Sequence, residues 1–243
     1  MNVVVPMAGR SSGFLRSKFK YPRYGIELNQ VSILERSLRG IGEANYYFIC
    51  LKDHYHKYDL SSLILKPFPK AQIILAEKLP QGQACSALWA DCYVCNDDPL
   101  LIVSPVQVIN WDPRDFFAFC DRTEADVATV ACQSLSSSSE MFFIDVNKEH
   151  GTAKAFSDVN RGGWKFDCGV YYFKYGQYFS RWVREMICAD NSINGEFWVA
   201  PCLNYGIVEG RKIYPYLVDD VAILRKASDV RDFAKNFPSW ARP

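Results

Sequence analysis

The strongest constraint on the fold lies at the N-terminus. Val3, Val4 and Val5 form an unbroken apolar run that passes directly into the small-residue segment Pro6-Met-Ala-Gly-Arg-Ser-Ser-Gly13. A strand without polar alternation is buried on both faces, as a parallel strand inside an α/β sheet is. A turn of small residues at its end gathers backbone N–H groups, a geometry suited to an anion. Around this element the chain has 243 residues, enough for one large α/β domain with a substantial core, and residues 1–243 read as a single domain.

Composition narrows the partners. Lys and Arg (28) nearly balance Asp and Glu (27), so charge gives no argument for nucleic acid or an anionic membrane. No stretch approaches the ~20 apolar residues of a membrane span, and no leader pattern is visible, so a soluble, cytoplasmic protein is expected. Nine cysteines, an odd number spread through the chain, fit a reducing compartment better than a disulfide framework. Cys92 and Cys95 form a single CxxC with no second pair and no neighbouring His, which argues against zinc.

Strands and helices alternate through the first half. Residues 46–51, 71–76 and 100–103 read as strands, and residues 60–65 and 83–95 as helices. Ser32 is a candidate N-cap for a helix whose apolar stripe is Ile33, Leu34, Leu38 and Ile41. In the second half, residues 125–132, 141–146 and 152–156 read as an antiparallel meander, with strands expected at 168–173 and 212–218. Helices are expected at 179–189, 197–205 and 227–237. The sum is one mixed sheet with helices on both faces.

Five segments then carry a resemblance. They are residues 2–26, Leu79-Pro-Gln-Gly-Gln-Ala-Cys85, Leu100-Leu-Ile-Val-Ser104, Cys168-Gly-Val-Tyr-Tyr-Phe173 and Asn194-Gly-Glu-Phe-Trp-Val-Ala-Pro201. In order and spacing they resemble the sugar-phosphate nucleotidyltransferases, and most closely the capsule-type branch that opens with a Met-Ala-Gly-Arg loop. The resemblance implies a glycosyltransferase-A-like, Rossmann-related fold. It also implies a reaction that joins a nucleoside triphosphate to a sugar 1-phosphate with Mg²⁺, releasing pyrophosphate. Such a site positions two anions and neutralises their charge, which calls for backbone N–H groups, an Arg, a Lys and metal-binding carboxylates.

Residue by residue the match is uneven. The usual Gly-x-Gly-x-Arg-Phe loop falls on Gly9-Arg-Ser-Ser-Gly-Phe14, so the resemblance implies nucleotide contacts from Ala8, Gly9, Ser11, Ser12 and Gly13. Its catalytic Arg position holds Gly13, leaving Arg10 as the nearby charge, and the Pro-Lys pair becomes Pro22-Arg23; Arg10 and Arg23 are the candidate catalytic cations. Gly82 and Gln83 fall where the family reads the base, or else simply enter a helix. Asp112, Asp158, Gly169 and Glu196 are the candidate substrate contacts; Asp112 also reads as a helix start, Gly169 as a plain strand glycine and Glu196 as a helix-terminal charge.

The metal positions differ. Val106 stands where the first carboxylate is implied, and Val221-Ala-Ile-Leu-Arg-Lys-Ala-Ser-Asp229 lacks the second. Asp219 and Asp220 are either a displaced pair or a solvated strand end. The first reading is therefore a nucleotidyltransferase-like protein of sugar-nucleotide or polysaccharide metabolism that binds a nucleotide or sugar phosphate with weak or absent transferase activity, and without a metal of its own. The second is an active transferase with a rearranged site, which would need Mg²⁺. The third is a sugar-nucleotide-dependent glycosyltransferase, against which the missing Asp-x-Asp after Ser104 counts. A protein partner or a second copy of the chain is also left open.

Overall fold

The computed structural model describes residues 1–9, 19, 21–133, 142–160, 162 and 164–241. Its strands are β1 (Asn2–Pro6), β2 (Glu27–Leu28), β3 (Val31–Ser32), β4 (Asn45–Leu51), β5 (Gln72–Ala76), β6 (Leu100–Val103) and β7 (Gln107–Ile109). They continue with β8 (Val127–Cys132), β9 (Phe143–Val146), β10 (Ala153–Ser157), β11 (Lys165–Phe173), β12 (Ile213–Val218) and β13 (Val221–Ile223). The helices are α1 (Ile33–Ser37), α2 (Lys52–Lys57), α3 (Leu60–Leu65), α4 (Gln83–Ala87), α5 (Asp91–Val94), α6 (Pro113–Thr123), α7 (Gly176–Cys188), α8 (Val199–Val208) and α9 (Ala227–Lys235).

The N-terminal valines do what their pattern demands. β1 lies in the middle of a nine-stranded sheet, parallel to β4 on one side and to β6 on the other. Successive side chains of a strand point to opposite faces. Val4 accordingly joins Ile49, Ile102 and Trp182 in one cluster, while Val3 and Val5 join Phe48, Leu101 and Phe116 in another. Both faces are covered, with α4, α7 and α8 contributing to the first cluster and α1, α3 and α6 to the second. The expected α/β architecture, a mixed sheet with helices on both faces, is present.

Ser32 caps α1 as its position suggests. Its Oγ accepts the Glu35 N–H at 3.1 Å, and the Glu35 carboxylate accepts the Ser32 N–H at 3.2 Å. Such a reciprocal pair satisfies two otherwise orphaned donors. The helix expected over 83–95 is instead α4 and α5 joined by a 3-10 turn at Leu88–Ala90. Ala84, Ala87 and Ala90 are buried at intervals of three, and that spacing suits the tighter three-residue turn.

The meander expectation is corrected. β9 and β10 do form an antiparallel hairpin, but β8 pairs with β11 and, in parallel, with β12. All six residues of β8 are buried, so it needs a neighbour on each side and takes an interior place. The amphipathic pattern gave no signal for α2, which buries no residue at all. Residues 197 and 198 precede α8 rather than opening it.

Two small elements complete the frame. β13 pairs antiparallel with β7, matching Ile223 to Gln107 and Val221 to Ile109. Leu224, Val230 and Ala241 then pack with Ile26, Ile33 and Val108 in a third cluster beside the main sheet. No helix among the described residues is long and apolar enough to cross a membrane.

Candidate functional site

After β1 the chain builds β4 and β5 on one side, then crosses to place β6 on the other. In an open α/β sheet the strand ends at such a reversal splay apart and leave a crevice, which is where these folds bind ligands. A cavity of about 330 Å³ occupies this place, within the size range of small-molecule sites. Met7, Ala8 and Gly9 enter it from the end of β1, and Ser104, Val106 and Gln107 from beyond β6. Gly82, Gln83 and Ser86 form the wall at α4, and Cys168, Gly169 and Tyr171 the wall at β11.

Two glycines fix the shape of these walls. Gly82 has φ +101° and lies so close to Phe197 that a Cβ would stand 2.4 Å from its carbonyl oxygen and 2.6 Å from its nitrogen. The segments stay in contact through the Ala84 N–H, which donates to the Phe197 carbonyl at 2.9 Å, and the Phe197 N–H, which donates to Gln81 at 2.9 Å. This clamp holds Glu196 and Trp198 at the cavity. Gly169, at φ +77°, sits in an irregular stretch where five residues of β11, Asp167 to Tyr171, span only three of β8, Ala131 to Thr129. A Cβ there would meet the Ser104 Cβ at 3.2 Å, so backbone rather than side chain faces the space. The Ser104 N–H donates to the Gly169 carbonyl at 3.0 Å.

Among the described residues, charge enters from three cations, Arg23, Arg225 and Lys226. The Arg23 guanidinium lies near Gly9, where a Cβ would be 3.8 Å from its Nη2. Burial, and after it the nearby Arg225, push the Arg23 pKa down. Both effects oppose the charged form of a group that stays charged in proteins. Arg225 is placed by the β7–β13 ladder, which the Leu224 N–H extends by donating to the Val106 carbonyl at 2.6 Å.

Unsatisfied polar groups point the same way. Gln107 is 1% exposed, and its Nε2 has no hydrogen-bond partner among the described residues. The Tyr24 and Ser86 hydroxyls, on residues 2% and 3% exposed, are likewise unpartnered there. All three residues line the cavity. Buried polar groups left alone are costly, and a ligand with polar atoms is one way to satisfy them.

Beneath this surface lies a carboxyl group that sequence reasoning missed. Asp167 is buried and accepts hydrogen bonds from the Thr129 hydroxyl at 2.7 Å and the Tyr171 hydroxyl at 2.5 Å. Burial lifts its pKa from an ordinary 3.8 to about 6, against the pull of those hydrogen bonds, the Gly169 N–H and Arg225. The folded state therefore holds this proton more tightly than the unfolded chain. Stability from this group is full below about pH 4, declines as pH rises toward 6 and is flat above; the shift is worth about 3 kcal/mol. In Asp167→Asn that decline disappears while Thr129 and Tyr171 keep hydrogen-bonding partners. Urea midpoints of both proteins between pH 4 and 7 check this, and an unchanged slope in the variant refutes the assignment.

Of the residues singled out from sequence, Ala8, Gly9, Arg23, Gly82, Gln83, Gly169 and Glu196 all line the cavity. Arg10, Ser11, Ser12 and Gly13 lie outside the described residues. Two substrate candidates lie apart from the cavity. Asp112 lies in a separate cleft, where it caps α6 by accepting the Arg114 N–H at 2.9 Å and pairs with the Arg114 guanidinium at 2.6 Å. Asp158 sits in the exposed turn after β10 and does not line the cavity. Arg225, Lys226 and Gln107 were missed because long-range pairing, not local pattern, brings them in, whereas Tyr24 and Ser86 sit beside Arg23 and Gln83 without a signal of their own.

The described residues lining the cavity do not fit a bound Mg²⁺, which takes oxygen ligands, usually carboxylates. Val106 lines the cavity where a carboxylate is implied, and Glu196 is the only Asp or Glu among the described lining residues. Asp219 and Asp220 lie elsewhere, and the Asp220 carboxylate accepts from the Asn110 amide at 3.2 Å. No cluster of three metal-binding side chains occurs among the described residues.

No protein-family profile and no curated protein sequence matches the chain; its likeness to known proteins is one of structure. It is similar to the nucleoside-diphosphate-sugar pyrophosphorylase from Vibrio cholerae RC9, with a TM-score of 0.81 and 18% identity over 96% of this chain and 99% of that one. It is also similar to the inositol-1-phosphate CTP transferase from T. maritima, with a TM-score of 0.74 and 13% identity over 98% and 96%. A third similar structure is HddC from Yersinia pseudotuberculosis complexed with GMP-PN, with a TM-score of 0.66 and 12% identity over 98% and 99%. At these identities the likeness shows the fold, and that fold is the Rossmann-related one of the sugar-phosphate nucleotidyltransferases.

Proposed function

We propose that the protein binds a nucleotide or sugar phosphate in the cavity at the ends of β1 and β6, in sugar-nucleotide or polysaccharide metabolism, with weak or absent transferase activity. The single observation that carries this reading is the pairing of cations with unpartnered polar groups. Arg23 and Arg225 face the same space as the buried Gln107 amide and the Tyr24 hydroxyl. Cations suit the phosphate, and the amide and hydroxyls suit a sugar or base. The named neighbours, a sugar pyrophosphorylase and a CTP transferase, support the same ligand classes.

The weak-activity part rests on Val106 and on the shortage of carboxylates around the cavity. In-line phosphoryl chemistry depends on neutralising developing charge, and one missing charge contact commonly costs ~10² to 10³ in rate. A second reading, a working transferase, is favoured by Arg23 beside Gly9. A pyrophosphate-release assay separates the two.

A thermal-shift panel of the four nucleoside triphosphates, common sugar 1-phosphates and nucleotide sugars tests the proposal. One phosphate-bearing compound is expected to raise the melting temperature by several degrees when present at about a hundred times its Kd. No shift with any compound overturns it.

A further inference from the structure

We infer that this cleft takes its phosphate ligand as the free anion, with Arg225 standing where a divalent cation would otherwise supply the charge. The inference rests on the phosphate-binding reading above and departs from what the fold resemblance implies about Mg²⁺.

The placement of Arg225 is structural rather than incidental. Ile223 is registered against Gln107, and the Leu224 N–H donates to the Val106 carbonyl at 2.6 Å. The next residue is Arg225. A guanidinium is therefore anchored one residue from the partner of Val106, the side chain that replaces the implied metal carboxylate. The exchange is chemically coherent: carboxylates exist in such a site to hold a cation, and a tethered cation makes them unnecessary.

The surrounding charges agree. Among the described lining residues three cations face one carboxylate, Glu196. A Mg²⁺ ion entering this field is repelled by Arg23, Arg225 and Lys226, whereas a phosphate is attracted by all three. Arg225 and the buried Asp167 act on one another electrostatically. Its two oxygens are already engaged by Thr129 and Tyr171, which leaves it as a fixed counter-charge rather than a ligand. The guanidinium keeps its donors in a planar fork, the geometry that matches two phosphate oxygens at once.

The test measures binding of inorganic pyrophosphate and the four nucleoside triphosphates by calorimetry, once in EDTA and once with excess Mg²⁺. Affinity in EDTA is expected to equal or exceed that with Mg²⁺, because the metal competes for the same oxygens. Arg225→Ala is expected to weaken binding at least tenfold, with Arg225→Lys recovering part of the loss; circular dichroism confirms that both variants fold. Asp167→Asn is expected to bind at least as tightly as the parent, since it removes a negative charge without a donor to the ligand. Binding that needs Mg²⁺, or that is lost in Asp167→Asn while Arg225→Ala is unaffected, overturns this inference alone. No binding in either buffer overturns the phosphate-binding reading and this inference with it.

Discussion

Replacing Gly82 with alanine is expected to lower the melting temperature by on the order of 10 °C, the largest effect of any single methyl group at the site. Two costs combine. The backbone at φ +101° and ψ 177° is in a region that essentially only glycine occupies, at about 1–3 kcal/mol for any other residue. The new Cβ would also stand 2.4 Å and 2.6 Å from backbone atoms of Phe197, which cannot swing aside as a side-chain tip can. Forcing such contact apart costs a further ~1–3 kcal/mol. At about 2–4 °C per kcal/mol for a chain of this size, the sum gives the stated shift. Gly42→Ala is the control: its φ is +86°, but nothing lies within 4 Å of the added atom. A loss at Gly82 no greater than at Gly42 refutes the clamp between α4 and the segment before α8.

Removing the Arg23 guanidinium carries the second large effect, this time on ligand rather than fold. Arg23→Ala is expected to weaken binding of the phosphate compound identified in the panel by ~10- to 100-fold, as loss of a charge-assisted hydrogen bond does. Arg23→Lys should recover part of it, because the charge returns without the two-pronged geometry. Any transferase turnover in the parent protein should vanish in Arg23→Ala. Isothermal titration of both variants decides the matter, and an unchanged Kd removes Arg23 from the site.

How much of this was legible in the sequence depends on the distance over which each feature is encoded. β1 was readable because three adjacent valines can only be a doubly buried strand, and they are 0% exposed. The Ser32 cap was readable because donor and acceptor lie three residues apart. Gly82 and Gly169 were singled out as ligand contacts, and their close approach to Phe197 and Ser104 had no sequence signal. The order of β8, β9 and β11 was not readable, since pairing partners are chosen by which edges remain open once the sheet assembles.

The charges of the site divide along the same line. Arg23 follows the N-terminal loop closely enough for its role to be expected. Arg225 and Lys226 read locally as the polar residues ahead of α9, and Lys226 is its N-cap. Only the pairing of β13 with β7 carries them to the cavity. Asp112 is the opposite case: a carboxylate before Pro113 has a purely local use, and its helix-start reading is the one seen, as the cap of α6.

The β7–β13 ladder also bears on how the protein can be divided. The nine-stranded sheet is complete at Val218, the end of β12, and β13 belongs to a different two-stranded sheet. A chain ended after Asp220 thus keeps every strand of the main sheet but has neither Arg225 nor Lys226. The ladder joins residues more than a hundred positions apart, so closing it carries a loop entropy that local contacts do not. Part of the site's charge is therefore written apart from its architecture: the first 218 residues build the crevice and supply Arg23, and the C-terminal segment adds Arg225 and Lys226.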